Sequence, residues 1–239
     1  METQNQTDKI KINTIVLSDI HLGSEVSRPR KVLETLSGYR FNRLILLGDI
    51  FDNLNFARLK KPHWNLLSYI RRLSNPKNRI DVIWVEGNHD EGLTEVMSHL
   101  IGIKVYKEYR WRVNGEKFLA IHGHQFDRFL NENVVISNMA SFIYDKIQKW
   151  GKEKQTLARY LKNKSKGWLR LSNKISEGAA EYGRHRKIDK IICGHTHKAS
   201  ERKFSDKNID YYNTGCWTDI PCSYLIINDN AETEIKYVE

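Results

Sequence analysis

Long apolar runs are missing from this 239-residue chain. None approaches the roughly 20 residues that a membrane-spanning helix needs. The stretch from Met1 to Lys11 is polar and lacks the apolar core of a secretory leader, so no signal peptide is expected. Cysteine is scarce: Cys193, Cys216 and Cys222 are odd in number, widely placed and without C-x-x-C spacing. That argues against a disulfide framework or a structural zinc site and fits a reducing cytoplasm. Acids are short too, with 29 Asp and Glu against 39 Lys and Arg, a net charge of +10. Such an excess points to an anionic partner: a phosphorylated substrate, an anionic membrane face or nucleic acid.

The charge is concentrated. From Lys146 to Lys187 there are thirteen Lys or Arg against three Glu, a surplus of ten that equals the whole excess. The remainder sums to near neutrality. With 40% hydrophobic and 10% aromatic residues, the composition is that of a folded protein, and the length suits one domain with an insertion.

Three short apolar runs, 12–17, 43–47 and 80–85, each end at a cluster of polar and glycine residues. Helix-like stretches lie between them at 29–37 and 63–73. This β-α-β-α-β rhythm with fully apolar strands predicts a buried sheet covered by helices. Strands are further expected at 103–106, 109–113 and 116–121, with Asn114-Gly115 as a two-residue hairpin turn. The C-terminal third returns to strand character at 188–193, 199–204, 209–213, 223–227 and 233–238. Residues 128–185 break the pattern. Met139, Phe142, Ile143, Ile147 and Trp150 recur at helical steps, and Leu157, Tyr160, Leu161, Trp168 and Leu169 continue among lysines. This stretch is expected to be a helical insertion within a single domain spanning 1–239.

The strand ends carry the chemistry. Asp19-Ile20-His21, Gly48-Asp49, Gly87-Asn88-His89-Asp90, His122-Gly123-His124 and Gly194-His195-Thr196-His197 hold six of the nine histidines. In extended chain, residues i and i+2 point the same way, so D-x-H and H-x-H each aim two ligands at one place. Loops at the carboxyl ends of strands in an open α/β sheet converge on one crevice. Carboxylate, amide and imidazole together suit Mn²⁺, Fe or Zn²⁺ better than Ca²⁺.

The order D-x-H, G-D-x-x-D, G-N-H-D, H-G-H, G-H-x-H resembles the calcineurin-like metallophosphoesterases from Asp19 to His197. The resemblance implies a four-layer αββα sandwich of two facing mixed sheets, with the metals at one edge. It implies that Asp19, His21 and His197 hold one divalent cation, that Asn88, His122 and His195 hold the other, and that Asp49 bridges them. It implies that His89 is catalytic, with Asp90 or Asp52 orienting an imidazole. His124 is a candidate substrate contact, as are Phe142 and Trp150 of the insertion. Asn213-Thr214-Gly215 is similar to a glycine turn that lies near the site in many family members; a plain turn fits as well.

Within the family, the length, the segments Ser18–Gly23 and Gly48–Asp52 and a basic, apolar insertion at 128–185 look like the UDP-2,3-diacylglucosamine pyrophosphatases of lipid A synthesis. Those are Mn²⁺-dependent peripheral membrane proteins that release UMP and leave 2,3-diacylglucosamine 1-phosphate. This resemblance implies a lipid-linked nucleotide substrate, an acyl-chain lid and a cytoplasmic enzyme at the inner membrane face. Well-known members carry Arg where this chain has His89; G-N-H-D is the general phosphoesterase form. The alternatives are a phosphodiesterase acting on nucleotides or phospholipid headgroups, a nuclease, and a non-enzymatic metal-site scaffold.

Overall fold

The computed structural model describes residues 9–53, 55–92, 98, 102–128 and 154–239, and of 127–128 and 154–168 the backbone only. The first half follows the expected alternation. Strand β1 (Ile10–Lys11) is followed by β2 (Thr14–Leu17), helix α1 (Pro29–Ser37), β3 (Tyr39–Arg40), β4 (Arg43–Leu47), helix α2 (Lys61–Leu73) and β5 (Asp81–Val85). Then come β6 (Val105–Tyr106), the hairpin β7 (Tyr109–Val113) and β8 (Glu116–Ala120), helix α3 (His124–Arg128) and helix α4 (Lys154–His185). The chain ends with β9 (Lys190–Cys193), β10 (Ser200–Phe204), β11 (Ile209–Asn213), β12 (Cys222–Ile227) and β13 (Thr233–Val238). Asn114 and Gly115 both have positive φ, as the expected primed turn demands.

Two mixed sheets result. One has the order β13-β12-β2-β4-β5-β6 and the other β10-β11-β9-β8-β7. In the first, β2, β4, β5 and β6 run parallel and β12 lies antiparallel to β2. In the second, β8, β9 and β11 run parallel, edged by antiparallel β7 and β10. A small parallel pair, β1 with β3, was not legible in the sequence.

Side-chain alternation along each strand sorts the core into three slabs. Ile15, Leu17, Leu44, Leu46 and Trp84 face outward onto Val32 and Leu36 of α1 and Leu66 and Ile70 of α2. Their neighbours Val16, Ile45, Leu47 and Val85 face Trp111, Phe118, Ala120 and Ile192 of the second sheet. On that sheet's far side, Leu119, Ile191, Cys193 and Tyr211 meet Phe126, Ile175, Ala179 and Ala180. The layers are therefore helix, sheet, sheet, helix, the αββα sandwich expected. Each Leu, Ile or Phe fully buried in these slabs contributes about 1.5–3 kcal/mol.

Helix α4 runs unbroken for 32 residues. Its C-terminal half, assigned by the sequence pattern to the insertion, forms the fourth layer: Ile175, Ala179 and Ala180 are fully buried on one face. The small alanines let the helix lie close on the sheet. Phe142, Ile143, Ile147 and Trp150 lie outside the described residues. Among the described residues, no helix is long and apolar enough to cross a membrane.

Candidate metal centre

All five motif loops follow the carboxyl ends of parallel strands: β2, β4 and β5 in the first sheet, β8 and β9 in the second. The loops are stitched together by their own backbones. Asp19 N–H donates to Gly48 O (3.0 Å), His21 N–H to Asp49 O (3.0 Å) and Leu22 N–H to Ile50 O (2.7 Å). In the second sheet, Gly194 N–H donates to His122 O (2.9 Å). Between sheets, His195 N–H donates to Asp19 Oδ2 (3.1 Å) and Trp217 N–H to Asp19 O (3.1 Å).

The backbone is turned into unusual geometry to aim the ligands. Asp19, His21, Asp49, His195 and His197 all have φ between +50° and +67°. A non-glycine residue in this region costs about 1–2 kcal/mol, and such strain clusters at functional sites. Two glycines make room for the carboxylates. A Cβ on Gly87 would lie 2.2 Å from Asp49 Oδ1, and one on Gly194 would lie 2.5 Å from Asp19 Oδ2.

The side chains converge in overlapping groups. His197 Nε2 lies 3.2 Å from Asp19 Oδ1 and 3.2 Å from His21 Nε2. Asp49 Oδ2 stands 3.9 Å from His21 Nε2, 4.0 Å from His89 Nε2 and 3.4 Å from His122 Nε2. Asp19, His21 and His197 form one set of mutually close donors, Asp49, His122 and His195 another, and His21, Asp49 and His89 a third between them. Asn88 Oδ1 is a buried acceptor with no hydrogen-bond partner.

Charge makes the same case. Asp19 is 0% and Asp49 2% exposed. Among the described residues, each forms ion pairs with histidines alone. Two carboxylates this deep require compensating positive charge. Burial pushes Asp49 upward, but His122, His21 and His89 outweigh it and hold its carboxyl well below the usual range. Asp19 is likewise lowered, burial being overcome by His197 and His122. Burial opposes the charge of His122, yet Asp49 and Asp19 lift it to about 9. His21 is pushed down to about 4 by burial and by the neighbouring charge of His197. Divalent cations would supply the positive charge these carboxylates require, and the imidazole nitrogens that hold them must be deprotonated. The donor set fits such ions.

The imidazole tautomers are set from behind. A carbonyl can only accept, so His122 Nδ1–H donates to Leu47 O (2.9 Å) and turns Nε2 to the site. His89 Nδ1–H donates to Asp52 O (2.6 Å), leaving Nε2 towards Asp49. The orienting group is thus the Asp52 backbone. The Asp52 carboxylate is engaged by Arg58 Nη1 at 2.6 Å, with its other oxygen 3.8 Å from His21 Nδ1.

The carboxylate of Asp90, a catalytic candidate, meets backbone amides. It is 2% exposed, and its two oxygens accept the N–H groups of Phe51 and Ile50 at 3.1 Å each. Its carboxylate braces the chain after Asp49. His124 begins α3 with its ring 5.5 Å from that of His122 and 6.2 Å from that of His195. Phe142 and Trp150 lie outside the described residues.

The second support came from a turn that the sequence left ambiguous. Asn213 is fully buried, and its Nδ2 donates to Gly194 O at 2.6 Å, directly before His195. Thr214 Oγ1 and Ser18 Oγ share a 2.6 Å hydrogen bond beside Asp19. Cys216, whose position in the sequence carried no signal of a role, lies beside His197; burial opposes the charge of His197, but Asp19 and then Cys216 raise it well above the usual imidazole range. Cys193 is fully buried, and burial pushes its thiol up, as expected of a structural residue.

The family model for calcineurin-like phosphoesterases matches residues 12–199. The chain belongs to that family. Membership makes it a metal-dependent phosphoesterase, and the matched region contains every candidate ligand. A search of curated protein sequences found no match. Among solved structures, a hypothetical protein from Pyrococcus horikoshii is similar at 10% identity and TM-score 0.53, over 96% of this chain and 88% of that one. A novel archaeal phosphodiesterase is similar at 14% identity and TM-score 0.51, over 94% and 99% of the two chains. Vacuolar protein sorting 29 of Cryptosporidium parvum is similar at 13% identity and TM-score 0.50, over 94% and 95%. At such identities these likenesses establish the fold alone.

Proposed function

We propose that the protein hydrolyses a phosphodiester or pyrophosphate bond with two divalent cations held at the junction of its sheets. The observation that carries this is the pair of buried carboxylates, Asp19 and Asp49, ringed by imidazoles and, among the described residues, without a lysine or arginine partner. Asp19, His21 and His197 hold one cation; Asn88, His122 and His195 hold the other. Asp49 serves both, since the same oxygen faces His21 and His122. The mixed carboxylate, amide and imidazole set suits Mn²⁺, with Fe or Zn²⁺ as alternatives. When bound, the pair of cations activates the attacking water and stabilises charge on the phosphoryl oxygens.

The chain's own residues do the rest. His89, its Nδ1–H held by Asp52 O, presents Nε2 to the reacting face, where the imidazolium form would give its Nε2 proton to the leaving oxygen and return to the neutral ring. Asp90 positions the Asp49 loop through two backbone amides. His89→Ala should lower turnover by about 10²–10⁴-fold with both metals retained, measured by kinetics beside metal analysis. Loss of metal, or unchanged turnover, would refute the role.

The finer reading is a lipid-linked pyrophosphatase acting on UDP-2,3-diacylglucosamine at an anionic inner membrane surface. Its support is the sequence of the insertion, where Phe142, Ile143, Ile147 and Trp150 alternate with cations that suit headgroups. The general G-N-H-D form at His89 supports instead a phosphodiesterase acting on nucleotides or headgroups. Assay of UDP-2,3-diacylglucosamine with Mn²⁺ beside a chromogenic diester separates them. Rapid UMP release supports the lipid reading; turnover of the diester alone discards it.

A further inference from the structure

A cavity of about 510 Å³ is lined by the starts of α1 and α2, by Arg58 and by the loop after His21. Its wall carries Arg28, Arg30, Lys31, Arg58 and Lys60 against a single acid, Glu25. Two helices begin there. The residue capping α1 is Arg28 and that capping α2 is Lys60, and neither first turn contains an acid. This is the reverse of what helix ends favour: the N-terminus carries about half a positive charge and is stabilised by acids. Arg28 Nε is buried and has no hydrogen-bond partner. Among the described residues, Arg28, Arg30, Lys31 and Lys60 form no salt bridge, and Arg58 alone is paired, with Asp52.

A local arrangement that opposes its own electrostatics marks a functional site. Two helix N-termini and a ring of cations around one concavity match a phosphate-class anion. The position says which one. Gly23, on the cavity wall, is two residues beyond His21, and the Arg58-bound Asp52 touches both His21 and His89. We infer that this cavity binds a second phosphoryl group of the substrate, next to the one that is cleaved, so that the enzyme favours diphosphate-linked compounds over lone diesters. The inference rests on the phosphoesterase reading above.

The test is inhibition of Mn²⁺-supported hydrolysis of a chromogenic diester by UDP and by UMP, which differ in that second phosphoryl group. Wild-type protein should bind UDP at least tenfold more tightly than UMP, and Arg30→Gln/Lys31→Gln should shrink that ratio by roughly tenfold, the loss expected for charge-assisted contacts. Lys203→Gln, exposed on the β10 edge, should leave the ratio as it is. An unchanged ratio in Arg30→Gln/Lys31→Gln, with the diester still hydrolysed, overturns the subsite and spares the two-metal mechanism.

Thermal melting of the metal-free protein with inorganic phosphate is the second arm. Phosphate should raise the wild-type melting temperature more than that of the double variant. Without phosphate the variant should melt at or above wild type, because like charges at a helix start have been removed, which also verifies folding. Loss of the phosphate shift with an unchanged UDP-to-UMP ratio would make this a free-anion site and overturn the substrate assignment. If wild-type protein hydrolyses no diester, the functional reading fails, and equal phosphate shifts in both proteins then overturn the anion site as well.

Discussion

The two sheets supply different halves of one site. The six-stranded sheet contributes both buried carboxylates, through Asp19 and Asp49, together with His21, Asn88 and His89; the five-stranded sheet contributes imidazoles alone, through His122, His195 and His197. Neither half is a phosphoesterase centre. The first alone would leave Asp49 and Asp19 without His122 and His197, their nearest imidazoles, and the second contributes no carboxylate. Their separation is set by the slab between them, where Val16, Ile45, Leu47 and Val85 meet Phe118, Ala120 and Ile192. Facing sheets stand about 10 Å apart, so imidazoles reaching from one edge meet carboxylates reaching from the other. Packing in the middle of the molecule thereby controls chemistry at its rim.

The most severe way to break this partnership is Asp49→Ala. Removing an outer partner of a metal ligand costs 10–100-fold, so losing the carboxylate shared by both halves should cost turnover more than about 100-fold and lower metal content. Kinetics and metal analysis on the purified variant check this; full metal occupancy with unchanged turnover would contradict the shared role.

Next in size is the slab itself. Phe118 is fully buried between the sheets, whereas Leu66 lies between α2 and the first sheet's outer face. Phe118→Ala should destabilise by about 3–5 kcal/mol and Leu66→Ala by about 2–5 kcal/mol in denaturant titrations. Phe118→Ala should also weaken metal binding, because it loosens the spacing between carboxylates and imidazoles, while Leu66→Ala should not. Equal effects of the two on metal affinity would show that overall stability, not inter-sheet spacing, governs the site.

The smallest effect sharpens the comparison inside the second sheet. Asn213 holds the Gly194 carbonyl and so the approach to His195. Asn213→Ala should lower affinity for the cation on the His122 and His195 side by about 10–100-fold, leaving the Asp19 side less affected. Metal titration by calorimetry should resolve a weakened site beside a stronger one; two equally weakened sites would place the effect of Asn213 on the whole edge.

Much of this was legible in order along the chain. Apolar runs ending in Asp-x-His, Gly-Asp and Gly-Asn-His marked strands and their ligand loops because strand periodicity and metal chemistry each leave a local imprint. Other features left none. Asp90 reads as one more motif carboxylate, and its two bonds to the amides of Ile50 and Phe51 exist after the loops fold over it. The basic cavity is hidden in a sum: outside residues 146–187 the charge is near neutral, yet folding brings Arg28, Arg30, Lys31, Arg58 and Lys60 to one wall. The last turns of α4 look like more of a basic insertion until Ile175, Ala179 and Ala180 are seen against the second sheet.

Residue order by itself determined the long strands of the two sheets, the helices between the first of them and the kinds of donor at each strand end, since period and ligand chemistry act over a few neighbouring residues. Tertiary structure alone decided which donors converge, which carboxylate braces a loop instead and where the surplus cations gather. Those depend on contacts between segments far apart in the chain, such as Ser18 with Thr214 at a separation of 196 positions, and contacts that distant exist only once two sheets are packed face to face.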